Sequence, residues 1–182
     1  SVTNQHMGQA LAGALRVIPQ RLRLPQSTFF NPRGAGTAGG MVFCPHAGNG
    51  NHGVRKVAED IRDALGVQVA EYAGQHTPEE QDSAMREFRN NDKPLMVATK
   101  GFGMGIDKPD VRMTIHLNIP QSIEAFVQEA GRAGRDGKLA TSVILFNNQP
   151  LITEGQDQSS YYPDKEVLMY FHKNTFKGQI KE

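Results

Sequence analysis

From Met41 onward the chain alternates short apolar runs with amphipathic stretches, and no other feature narrows its fold as far. Met41 to Cys44, Val67 to Tyr72, Leu95 to Ala98, Met113 to Leu117 and Thr141 to Phe146 read as buried strands. After the first, Val54, Val57, Ala58, Ile61, Ala64 and Leu65 recur at helical spacing, and Gly66 is placed to end that helix in a left-handed cap. After the second, Thr77-Pro78-Glu79-Glu80 forms a capping box with proline at the first helical position, opening a helix to about Arg89. Before the last strand, Ile123, Phe126, Val127 and Ala130 predict a helix with one apolar face. Strands alternating with helices of about ten residues build βαβ units. The expectation is a three-layer α/β domain with a mainly parallel sheet, its chemistry lying beyond the carboxyl ends of the strands.

The flanks differ in character. Residues 1 to 40 read as a partly flexible connector: a short helix around Gln9 to Val17, then prolines at 19, 25 and 32, then the nearly side-chain-free run Gly34 to Gly40, expected to be mobile. Residues 41 to 150 form the domain proper. Residues 151 to 182 read as a polar tail with one further helix at Lys165 to Phe171. Apolar content of 38% and charged content of 21% suit a globular domain rather than a disordered one. A net charge of +1 gives no global argument for nucleic acid or membrane, so any basic site is local. Cys44 is the only cysteine, which excludes an internal disulfide and a multi-cysteine zinc site; it reads as a small buried hydrophobe. The six histidines lack metal-ligand spacing, so no metal site is expected. No apolar run approaches ~18 residues and no signal-peptide pattern opens the chain. A soluble cytoplasmic protein with no membrane partner is therefore expected.

Three segments could carry chemistry. Gly48-Asn49-Gly50-Asn51-His52-Gly53 is a literal G-x-G-x-x-G between a strand and a helix, with Glu71 about twenty residues on, as in a dinucleotide-binding oxidoreductase. Pro45, His46 and Ala47 separate it from the strand, whereas the fingerprint needs its turn at the strand end. Ala98 to Arg112 follows a strand and spaces three glycines at alternate positions, so backbone can approach a phosphate chain while Thr99 and Lys100 supply a hydroxyl and a charge. A solvated surface loop would have the same composition, and the residues alone leave both readings open. In Gln128 to Gly137, a continuing helix would align Gln128, Arg132 and Arg135, and two guanidinium forks match phosphate oxygens. Paired surface arginines are the bland alternative.

Taken in order, these segments resemble the C-terminal RecA-like motor domain of RecQ-like superfamily-2 ATP-dependent DNA helicases, over roughly Gly40 to Asn148. Ala98 to Arg112 is similar to helicase motif V and Gln128 to Gly137 to motif VI; Tyr72-Ala73-Gly74 and Met41 to His46 are similar to two further family stretches. The resemblance implies a RecA-like fold and ATP held, with Mg2+, mainly by a separate N-terminal RecA-like domain of the same protein. Arg132 and Arg135 would reach that ATP across the cleft, Arg135 as the arginine finger. Gly105 and Asp107 would lie near the nucleotide ribose, and Gly74 and Thr99, with Lys100 beside it, would contact the phosphates of single-stranded or duplex DNA. Gln128 would couple the two sites, and travel would run 3′ to 5′. Pro45 and His46 stand where the family commonly has a serine-arginine pair, and the family's four-cysteine module has no counterpart here. The chain holds no G-x-x-x-x-G-K-[ST], since Val54 follows Gly53 where lysine is required, so a fragment of a longer motor, inactive alone, is expected. A nucleic-acid-binding module without catalysis is the remaining alternative.

Overall fold

The computed structural model describes residues 4–48, 52–99, 106–120 and 122–145. The five strands are β1 (Gly39–Cys44), β2 (Val69–Tyr72), β3 (Leu95–Thr99), β4 (Val111–His116) and β5 (Thr141–Ile144). They form one sheet in the order β2-β3-β1-β4-β5, and every pairing is parallel. The helices are α1 (Asn4–Arg21), α2 (Val54–Leu65), α3 (Pro78–Arg89) and α4 (Ile123–Ala130). The tail expected after residue 150 lies outside the described residues.

Alternation along the central strand divides the core. Val42 and Cys44 of β1 face one side with Val57, Ala58 and Ile61 of α2, while Met41 and Phe43 face the other with Ala84 and Phe88 of α3. Phe88 is fully buried, which contributes on the order of 1.5–3 kcal/mol. The local signals behave as read. Gly66 caps α2 at φ 66°, and in the capping box Thr77 Oγ1 accepts from the Glu80 N–H while the Thr77 N–H donates to Glu80 Oε2.

The first forty residues depart from the connector reading. Met7, Leu11, Leu15, Ile18 and Leu22 form one apolar stripe, so α1 is a longer helix that joins the core against α2. Arg16 Nη2 donates to the Ala64 carbonyl at 2.8 Å, satisfying a C-terminal carbonyl of α2. The glycine run is tied down rather than mobile. Ala38, Gly39 and Gly40 N–H groups donate to Thr28, Asp110 and Pro94 carbonyls. A β-carbon on Gly40 would lie 2.4 Å from Met113 Cε, so this glycine serves close packing and not flexibility.

Candidate functional site

β4 lies inside the sheet, yet one of its faces is polar. Met113 and Ile115 join the core beneath α2, whereas Arg112, Thr114 and His116 alternate with them and are all buried. Interior parallel strands are usually apolar on both faces, and a buried polar group is costly without a partner. Each of the three has one. Arg112 Nη1 donates to Asp136 Oδ1 at 2.8 Å and Nη2 donates to Oδ2, a bidentate pair. Thr114 Oγ1 bonds Ser142 Oγ on β5, and His116 Nδ1 lies 2.9 Å from Glu129 Oε2. Beside the Arg112 pair, the Gly134 N–H donates to the Val111 carbonyl at 2.8 Å. Gly134 has φ 76°, a left-handed conformation that favours glycine.

These bonds lay the 129–136 segment along β4 and fix its arginines. Arg135 Nη1 donates to the Ile106 carbonyl at 3.1 Å and lies 3.4 Å from Asp107 Oδ1. The Arg135 and Asp107 side chains are 40% and 84% exposed, so a guanidinium held from below still faces solvent. Arg132 is half-buried. Its burial first, and then the Arg135 charge, work against the Arg132 cation, while Glu129 offsets them in part. Two guanidinium groups in this arrangement suit a polyphosphate, whose charge would relieve their repulsion.

The clamp has a pH signature. The Arg112 hydrogen bond holds the Asp136 carboxyl down to about 2, against about 3.9 for a free aspartate. The unfolded chain therefore binds the proton more readily, so the contribution is complete above about pH 4 and is lost as pH falls through about 2. Asp136→Asn is expected to lower the urea midpoint at pH 6, with the gap from the wild type narrowing steadily as pH falls from about 4 to about 2. A gap that persists unchanged at pH 2 would contradict the assignment.

The structure brings Arg132, Arg135 and Asp107 together and leaves Gln128 exposed on α4. Gly74 and Thr99 stand elsewhere, in the turn after β2 and at the end of β3, two neighbouring strands. Near Gly74 a cavity of about 320 Å3 is lined by Ala47, Gly48, Arg55, Gln75, His76 and Glu80. Lys100 and Gly105 lie outside the described residues.

Three expectations are corrected. The helix does not continue through the arginines: α4 stops at Ala130, Gly131 caps it, and turns follow to Asp136. Nor does the whole apolar face anchor it: Phe126 packs on His116, but Val127 is 59% exposed and the buried residue of α4 is Glu129. The arginine cluster also lies toward the amino end of β4 rather than beyond the carboxyl ends, because the chain must return there to begin β5 parallel to β4. Arg112 and Asp136, which hold the segment, were not among the expected site residues. The signal was available as the alternation of Arg112, Thr114 and His116 with apolar neighbours.

The glycine hexad has a different explanation from a dinucleotide site. His46 bridges Gly53 and its carbonyl accepts from the Val54 N–H, while a β-carbon on Gly53 would lie 1.6 Å from the Gly48 carbonyl oxygen. Gly53 is thus required by the close approach of the Gly48 backbone. Glu71, the candidate ribose acid, is paired with Arg62. The oxidoreductase reading finds no support.

Residues 38–137 match the family model of the helicase conserved C-terminal domain, more than half of the chain. The chain belongs to this family. As a helicase C-terminal domain it is 37% identical over 106 residues to a probable ATP-dependent DNA helicase RecS of Bacillus subtilis, covering 58% of this chain and 21% of the relative. It is 39% identical over 103 residues to the ATP-dependent DNA helicase RecQ of the same organism, covering 55% and 17%. The chain thus spans about a fifth of the length of these relatives. Its fold is that of a DEAD box protein from the hyperthermophile Methanococcus jannaschii, with a TM-score of 0.66 at 20% identity over 95% of this chain and 38% of that one. The helicase C-terminal domain match includes every bond that fixes the arginine segment on β4. Among its described residues no group of His, Cys, Asp and Glu could hold a metal ion, and no helix is long and apolar enough to cross a membrane.

Proposed function

We propose that this chain is the second motor domain of a RecQ-like ATP-dependent DNA helicase in the cytoplasm, working with an N-terminal RecA-like domain. The observation that carries this reading is the exposed Arg135 guanidinium, held by Ile106 and Asp107 on a segment clamped to β4. In this reading Arg132 and Arg135 approach the ATP phosphates from across the cleft, and Arg135 neutralises charge that develops on the transferring phosphoryl group. Gly105 and Asp107 lie on the ribose side. Mg2+ belongs with the other motor domain, consistent with the absence of a phosphate-cradling G-x-x-x-x-G-K-[ST] motif from this sequence. With ATP bridging the lobes the cleft closes; once its phosphate leaves, the arginines lose their partner and the cleft reopens. Gln128, exposed on α4, links these changes to the DNA side.

On the DNA side, Gly74, Thr99 and Lys100 contact phosphates through backbone and hydroxyl groups, with Arg55 and His76 in the adjoining cavity. So few contacts predict weak, sequence-indifferent binding of single-stranded DNA by this chain. Binding measured from low to moderate salt is expected to fall with a slope of roughly two to three released ions. Tight binding that ignores salt would contradict this reading and point to base stacking instead.

A further inference from the structure

We infer that the buried His116–Glu129 pair is a positioning device for Arg132, fixing the end of α4 on β4 so that the arginine segment is held at both ends. The inference rests on the proposed role of the arginines in ATP turnover.

α4 is attached in an unusual way. A surface helix ordinarily buries an apolar stripe, but here the buried residue is Glu129, 5% exposed, against His116, 1% exposed. A carboxylate in such a place is costly unless a donor meets it. The His116 ring is built in to be that donor. It stacks on Phe43 at 5.1 Å between centroids and 19° between planes, and Phe126 of α4 tilts against it at 5.2 Å and 60°. Its Nε2 is buried and has no hydrogen-bond partner among the described residues. An imidazolium would strand an N–H donor there, so we assign the neutral ring with Nδ1–H donating to Glu129 and Nε2 bare.

Glu129 thus accepts from His116 and stands at one end of the arginine segment. Its charge favours the Arg132 cation, against burial and the Arg135 charge. The segment is thus held at one end by Glu129 on the last residue of β4, and at the other by Gly134 on Val111 and Asp136 on Arg112. Arg132 lies between these two anchors. So short a stretch fixed at both ends has few conformations left, and releasing the His116 end loosens the backbone that carries Arg132, while Arg135 sits beside the anchor that remains.

The test uses the intact protein and DNA-stimulated ATP hydrolysis, at a temperature where melting curves show every variant folded. His116→Phe keeps a stacking ring but cannot donate; His116→Asn gives up the ring but offers an amide N–H near the Nδ1 position. A positioning role through Nδ1–H predicts that His116→Phe lowers kcat by about 10- to 100-fold, the scale of a misplaced catalytic contact, with the KM for ATP little changed. His116→Asn recovers most of that loss. In an Arg132→Ala background, itself impaired, His116→Phe costs nothing further, because both changes remove the same function. The inference is overturned if His116→Phe retains the wild-type kcat, if Phe outperforms Asn, or if the His116→Phe factor is undiminished without Arg132. If Arg132→Ala and Arg135→Ala are both silent, the proposed function itself fails; if they collapse turnover while His116→Phe does not, only the positioning role is lost.

Discussion

Replacing Arg135 with alanine is expected to lower DNA-stimulated ATP turnover of the intact protein by roughly three orders of magnitude, within the range of 10³ to 10⁵ associated with an arginine finger. The expectation comes from how the guanidinium is held. Gly134 is bonded to Val111 and Asp136 to Arg112 on either side of Arg135, and Nη1 donates to the Ile106 carbonyl. The side chain is therefore oriented before any phosphate arrives, which lets it act on developing charge without reorganising. A solvated surface arginine would be nearly silent, within about 0.5 kcal/mol in stability. Arg135→Lys is not expected to recover the loss, because an ammonium cannot reproduce the fork. DNA affinity should change little, since Gly74 and Thr99 stand at the ends of β2 and β3, away from this cluster. If both variants keep more than about a tenth of wild-type turnover, a loss below the finger range, Arg132 becomes the candidate.

A second large effect is expected at a residue that touches no nucleotide in this account. Arg112→Ala removes the bidentate partner of Asp136 and leaves that carboxylate facing a buried gap, so the segment loses its hold at the β4 end where Arg135 sits. Displacement of a catalytic group by about 1 Å can cost about 10²-fold, and kcat for ATP should fall by about that factor. Arg112→Lys should restore little, because a point charge cannot make both bonds. The measurement is kcat against KM for ATP beside a melting curve. A folded Arg112→Ala protein with near-native kcat would show that the clamp does not position the arginine.

Much of the fold was legible because local signals and tertiary demands agreed. Thr77-Pro78-Glu79-Glu80 opens α3 and Gly66 closes α2 because capping is decided within a few residues. The expected chemistry came from the arginines and glycines of two segments, and Arg132, Arg135 and Asp107 do converge. What was not legible depended on partners distant in sequence. Gly39 and Gly40 read as flexible until Phe88, Lys108, Met113 and Leu95 are seen to fill the space a side chain would need. The stripe from Met7 to Leu22 was obscured by glycines at 8 and 13 and a proline at 19, and is helical because α2 offers it a surface. Val127 looked like core by its spacing, yet the buried position on α4 went to Glu129, which only the histidine on β4 makes tolerable. The polar alternation Arg112, Thr114, His116 was present in the sequence, but its meaning required three partners, at 136, 142 and 129.

The central claim, that this chain is one lobe of an ATP-driven DNA strand-separating motor, is tested most directly by strand displacement with the intact protein. The substrate is a short duplex with a 3′ single-stranded tail, followed with ATP, with a non-hydrolysable analogue and without nucleotide. The account predicts displacement with ATP alone, and its loss in Arg135→Ala while the tail is still bound. Displacement that proceeds equally without hydrolysis, or that survives Arg135→Ala and Arg132→Ala together, would contradict it.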